Sequence, residues 1–180
     1  GGAQGPLEAY TFAMARGLDV LMASEHNHMY DGSDGSNPEA SADAAKALYQ
    51  RGLSTAASFS EASPGFLAMY GLEWGVINNG GHLNIFNAPE LLAWERDAKG
   101  ELIGDTLTTK GDYSALYALM RQRGWIGQFN HPSFSGQFNV NDVALGYTKD
   151  GDKTMALCEV LNTAAFSSNK SEGEARRSNY

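Results

Sequence analysis

Leu18–Asp19–Val20–Leu21–Met22–Ala23 is a short apolar run that stops in Ser24–Glu25–His26–Asn27–His28. A run of this length reads as a buried strand. Upstream, Pro6 suits a first helical position, Leu7, Tyr10 and Met14 follow at helical spacing, and Arg16–Gly17 closes the helix. The same order recurs downstream. Glu39 to Arg51 reads as an Ala-rich helix closed by Gly52; Leu53 to Pro64 stays open between helix and ordered loop; Phe66 to Leu72 reads as a strand. Asp112 is an N-cap for a helix with Leu116, Leu119 and Met120 on one face, closed by Arg123–Gly124 before the strand Trp125 to Phe129. Between these lie the turn formers Asp31 to Pro38, the turn Asn78–Asn79–Gly80–Gly81, and the alternating run His82 to Phe86. Met155 to Leu161 reads as a last buried strand. Helix, Arg-Gly and then strand, written three times, is α/β grammar and predicts a mainly parallel sheet.

The composition narrows the class. With 180 residues the chain has the length of one domain, and no linker divides it. Hydrophobic residues at 42% exclude a disordered chain, and no apolar run approaches the ~20 residues of a membrane span. The first residues carry neither a charged start nor an apolar signal segment. Cys158 is the single cysteine, which excludes an internal disulfide and a Cys-rich zinc knuckle. A net charge of −8, with Arg176–Arg177 as the one basic pair, argues against a phosphate-tracking nucleic-acid binder.

The strand-like runs end in Glu25–His26–Asn27–His28, in Glu73, in Asn130–His131 and in Glu159 with Asn162, and His82 opens its own run. Strand ends of parallel α/β sheets converge on one face, where sites are built. Imidazole and carboxylate together form the ligand set of Zn, Mn or Fe. Each residue also has a plain reading. His82 suits a hydrogen-bonded core residue, His131 before Pro132 a shaped turn, and His28 a solvated loop. Glu73 and Glu159, set within apolar runs, demand more, because a buried carboxylate is paired or on a metal. The coincidence of positions carries the argument. No G-x-S-x-G, H-E-x-x-H, P-loop or G-x-G-x-x-G motif is present, and Cys158 in its apolar run reads as core.

These residues resemble a family. Gly17 to Asn27 is similar to the G-L-D-x-x-x-x-T-D-H-N motif of the PHP (polymerase and histidinol phosphatase) metal-dependent hydrolases. Gly71–Leu72–Glu73–Trp74, then Gly81–His82–Leu83–Asn84–Ile85–Phe86, resembles its glutamate motif and following histidine, in a form nearest the carbaryl-hydrolase-like branch. Asn130–His131–Pro132 is similar to its His-Pro motif, and Glu159–Val160–Leu161–Asn162 to its E-V-x-N strand. The resemblance implies a distorted (β/α)7 barrel with up to three divalent metals (Zn, Mn or Fe). Carried over, it makes His26, Glu73, His82 and His131 metal ligands, with Glu25 touching metal or orienting His26. The family also opens on H-x-H and closes on D-x-H, yet no histidine precedes His26 or follows His131. The expectation is therefore a barrel lacking its first strand and last units, cut from a longer chain.

The activity expected is hydrolysis of a phosphoester or a carboxylic or carbamate ester of a small molecule by metal-activated water. His28 and Asn27 are the candidates for substrate contact or proton transfer, and Trp74 and Phe134 for walls of the pocket. The competing reading is a non-catalytic module that keeps the fold while its metal site decays. A nucleic-acid-processing role, also known in the family, is disfavoured by the acidic balance.

Overall fold

Pro6 opens the first helix, where its missing N–H is one the first turn leaves unbonded anyway. The computed structural model describes residues 5–27, 41–76, 79–86, 88–132, 137–162 and 176–177. Its first half holds α1 (Pro6–Ala15), β1 (Val20–His26), α2 (Ala42–Ala62), β2 (Leu67–Trp74), β3 (Leu83–Phe86), β4 (Leu92–Ala93) and β5 (Thr106–Leu107). The second half holds α3 (Tyr113–Arg123), β6 (Ile126–Phe129), β7 (Asn139–Val140), β8 (Val143–Ala144), α4 (Lys149–Thr154), β9 (Met155–Cys158), β10 (Leu161–Asn162) and β11 (Arg176–Arg177). Among the described residues no helix is long and apolar enough to cross a membrane.

The strands β1-β2-β3-β6-β9 form one five-stranded sheet in that order. This corrects the expected seven-stranded barrel. The sheet is mixed rather than parallel throughout, its order ends at β1 and β9, and no closed barrel exists among the described residues. Residues 75–82 between β2 and β3 fall short of the dozen or so that a parallel crossover needs, so one strand–helix repeat is missing there. Among the described residues four helices accompany the sheet, fewer than the seven of the complete barrel that the resemblance implies. The parallel grammar does survive in β6 and β9, which pair Gln128 with Leu157 and Phe129 with Cys158.

The chain divides into two compact units. The first takes residues up to Leu72 together with Phe86–Thr108. Its core is aromatic. Tyr10 of α1 donates its hydroxyl to Met69 O at 2.7 Å and packs 5.5 Å from the Phe59 ring. Tyr49 of α2 stacks tilted on Tyr70 at 5.5 Å and donates to Ala88 O at 2.8 Å, with burial pushing its phenol far above the ordinary range. Ser41 caps α2 by accepting from Ala44 N. The helix does not stop at Gly52 as the sequence suggests, but runs on through the ambiguous stretch to Ala62. Gly52 serves a close approach: a Cβ there would lie 2.2 Å from the Tyr70 ring.

The second unit takes Glu73–Ile85 and residues from Thr109 onward. Trp74, fully buried, meets Tyr113 of α3 edge-on at 5.2 Å. Leu116 and Met120 are buried on α3 as its periodicity predicts, but Leu119 is only half-buried and Tyr117 completes the inner face instead. Asp112 caps α3 by accepting from Ala115 N at 2.9 Å, and Gly124 ends it in the left-handed conformation at φ 72. Thr148 caps the short α4 through Gly151 N. Asn141 and Asp142, at φ 51 and 62, turn the small hairpin β7–β8 in the left-handed geometry that two-residue hairpins need.

Candidate metal centre

β2 delivers Glu73 one residue before its end, β3 is entered from His82, and β6 exits into Asn130–His131. Asn130 N donates to His82 O at 3.0 Å, so the entry of β3 and the exit of β6 lie side by side. Gly75 turns the chain out of β2 at φ 113, with so little room that a Cβ would lie 2.2 Å from Gly81 O. Tyr113 donates its hydroxyl to that same Gly81 O at 2.6 Å. Burial outweighs this bond and raises the Tyr113 phenol well above its usual range; the neighbouring Tyr117 is pushed up to about 12 by burial alone.

Within the second unit three side chains converge. His82 Nδ1 lies 3.2 Å from His131 Nε2 and 3.2 Å from Glu73 Oε1, and His131 Nε2 lies 3.7 Å from that same oxygen. The two imidazoles stand nearly perpendicular, at 82°, with centroids 5.2 Å apart. Their side chains are 5% and 12% exposed and that of Glu73 is 15% exposed, so the group is shielded from bulk water. The triangle fits a cation. Ligand atoms bonded at ~2.0–2.1 Å to a tetrahedral ion stand about 3.3–3.4 Å apart, which is the scale of all three separations. Two imidazoles and a carboxylate are also the donor types that Zn, Mn and Fe accept.

The surroundings hold these groups in place. Asn130, 5% exposed, donates Nδ2 to Glu73 Oε1 at 3.0 Å and accepts from Gln128 Nε2 at 3.0 Å. The backbone N–H of His131 donates to the Glu159 carboxylate. His131 itself sits in the left-handed region at φ 32, which a residue with a Cβ seldom adopts.

Of the residues the sequence singles out, Glu73, His82 and His131 are thus brought together in one unit. His26 and Glu25 end β1 in the other unit, both half-buried. As neighbours in a strand they project to opposite faces, so Glu25 points away from the side His26 serves. Asn27 is 1% exposed, packed rather than open in a loop. His28 and Phe134 lie outside the described residues. Trp74 is a fully buried core residue. A cavity of about 440 Å³ in the second unit is bordered by Tyr117, Phe129, Phe138, Leu145, Tyr147 and Met155. The sequence does not single out Gln128; the available signal is its spacing of two from Asn130, just past the end of β6, which in extended chain puts both on one side. No family model, curated protein or solved structure matches the chain.

Proposed function

We propose that this protein is a divalent-metal-dependent hydrolase of the PHP type, with Glu73, His82 and His131 holding the ion. The observation that carries this reading is the triangle of ligand atoms. Hydrogen bonding alone serves it poorly. His82 Nδ1 carries at most one hydrogen, yet it stands equidistant from a second imidazole nitrogen and a carboxylate oxygen. A cation satisfies all three lone pairs at once.

A bound divalent ion supplies Lewis acidity, making water a nucleophile near neutral pH and polarising a carbonyl or phosphoryl oxygen. The protein sets how much. With one carboxylate against neutral imidazoles, the ligand set leaves the centre net positive and electrophilic. Shielding of the three side chains from bulk water strengthens that field. The substrate class that the PHP resemblance implies is a small ester, either a phosphoester or a carboxylic or carbamate ester.

The test is metal content by mass spectrometry, followed by turnover on phosphomonoesters, carboxylic esters and aryl carbamates. The wild-type protein is expected to hold close to stoichiometric Zn, Mn or Fe and to hydrolyse one of these classes. His131→Ala and Glu73→Gln are expected to lose both metal and turnover, by more than the ~10–100-fold that loss of an outer partner costs. Sub-stoichiometric metal in the full-length protein after incubation with each ion would sink the reading.

A further inference from the structure

The geometry points to a one-way hydrogen-bond relay, Gln128 to Asn130 to Glu73, that fixes which oxygen Glu73 presents to the ion; this rests on the metal-centre reading above. Glu73 as a carboxylate only accepts. Asn130, 3.0 Å from Glu73 Oε1, must therefore turn its NH2 towards it, which leaves its carbonyl oxygen facing away. That oxygen is met at 3.0 Å by Gln128, which must in turn present its own NH2. One assignment of the two amides satisfies both contacts, and flipping either puts two acceptors or two donors face to face.

The relay ends on the oxygen that matters. Glu73 Oε1, which Asn130 holds, is the carboxylate atom 3.2 Å from His82 Nδ1 and 3.7 Å from His131 Nε2. Asn130 also donates its backbone N–H to His82 O and is followed in the chain by His131. One buried residue thus touches the frame of all three ligands. Gln128 and Asn130 are positioning residues: they reach the ion only through Glu73. Groups in this position, which orient a ligand without binding metal, commonly set affinity by about 10–100-fold.

Gln128 permits a test that alters neither the ligands nor Asn130. Gln128→Glu replaces the donor by an acceptor and drives the Asn130 amide to flip, turning its carbonyl oxygen onto Glu73 Oε1. Gln128→Leu removes the lock without reversing it. Asn130→Asp sets a second carboxylate against Glu73 directly. The measurements are the Co2+ dissociation constant by competition with a chelating dye, the visible spectrum of the Co2+ protein, and the melting temperature of each metal-free variant. We expect Gln128→Glu and Asn130→Asp to weaken Co2+ about 10–100-fold with an altered spectrum, and Gln128→Leu to weaken it less. Metal-free melting of the two Gln128 variants is expected to agree. Wild-type affinity and spectrum in Gln128→Glu overturn the relay, and so do equal losses in Gln128→Glu and Gln128→Leu. Should Asn130→Asp not fold, the two Gln128 variants decide alone. Wild-type protein that binds no Co2+ overturns the metal centre itself, a distinct outcome from a wild type that binds while the variants match it.

Discussion

His131 combines two demands that seldom meet in one residue: its ring aims at His82 and Glu73 while its backbone sits at φ 32. The Glu159 carboxylate holds that conformation by accepting the His131 N–H. Hydrogen bonds to charged groups contribute roughly 1.5–3 kcal/mol, and the left-handed backbone adds a cost of its own. Glu159→Ala is therefore expected to lower stability in urea by about 1–3 kcal/mol, with Glu159→Gln in between; a neutral Glu159→Ala refutes this role. Glu73, His82 and His131 were legible because strand-end histidines and a glutamate inside an apolar run are costly unless used. Glu159 was legible only as a carboxylate in need of a partner. That the partner is a backbone N–H depends on how β9 registers with β6, which composition does not encode. Gln128 was invisible because its meaning lies entirely in its neighbour.

Caps fixed α3 between Asp112 and Gly124, but the buried strand expected over Met155–Leu161 is β9 at Met155–Cys158, with Leu157 45% and Val160 62% exposed. Helix ends did not always follow either. Gly52 has the look of a C-terminal stop, yet α2 continues through it, and the glycine instead leaves the space where a side chain would project to the Tyr70 ring. Gly→Ala inside a helix ordinarily stabilises by up to about 1 kcal/mol. Here the sign reverses: Gly52→Ala is expected to destabilise by ~1–3 kcal/mol through overpacking. Tyr70→Leu in the same chain is expected to recover part of that loss. Denaturation midpoints of the single and double variants check both, and a stabilised Gly52→Ala contradicts the packing account. The hairpin β7–β8 and α4 escaped the sequence reading for another reason: two-residue strands and a six-residue helix carry too few periods to register.

At the scale of the whole molecule, local grammar misled. Three helix–strand alternations suggested a mainly parallel sheet and the PHP resemblance implied a barrel, whereas the sheet is mixed and open among the described residues, with the turn formers Asn78–Gly81 in a β2–β3 connection too short for a crossover helix. If Glu73, His82 and His131 hold the proposed ion, stability depends on metal. Ligand binding to the native state adds RT ln(1 + [L]/Kd), about 4 kcal/mol at a thousandfold excess over Kd. Chelation is expected to lower the melting temperature, restored by added Zn or Mn. Hydrogen exchange should rise in β3 and β6 while the α1 and α2 amides stay protected. Exchange that chelator leaves unchanged in β3 and β6 would contradict the placement of the ion. The burial of Trp74 has an optical consequence. Its indole follows Glu73 directly in the chain and is sealed from solvent against Tyr113. With Trp94 and Trp125 replaced by Phe, it is a single native fluorophore beside the Glu73–His82–His131 triangle, shielded from aqueous quenchers, whose emission is expected to change when Co2+ is added.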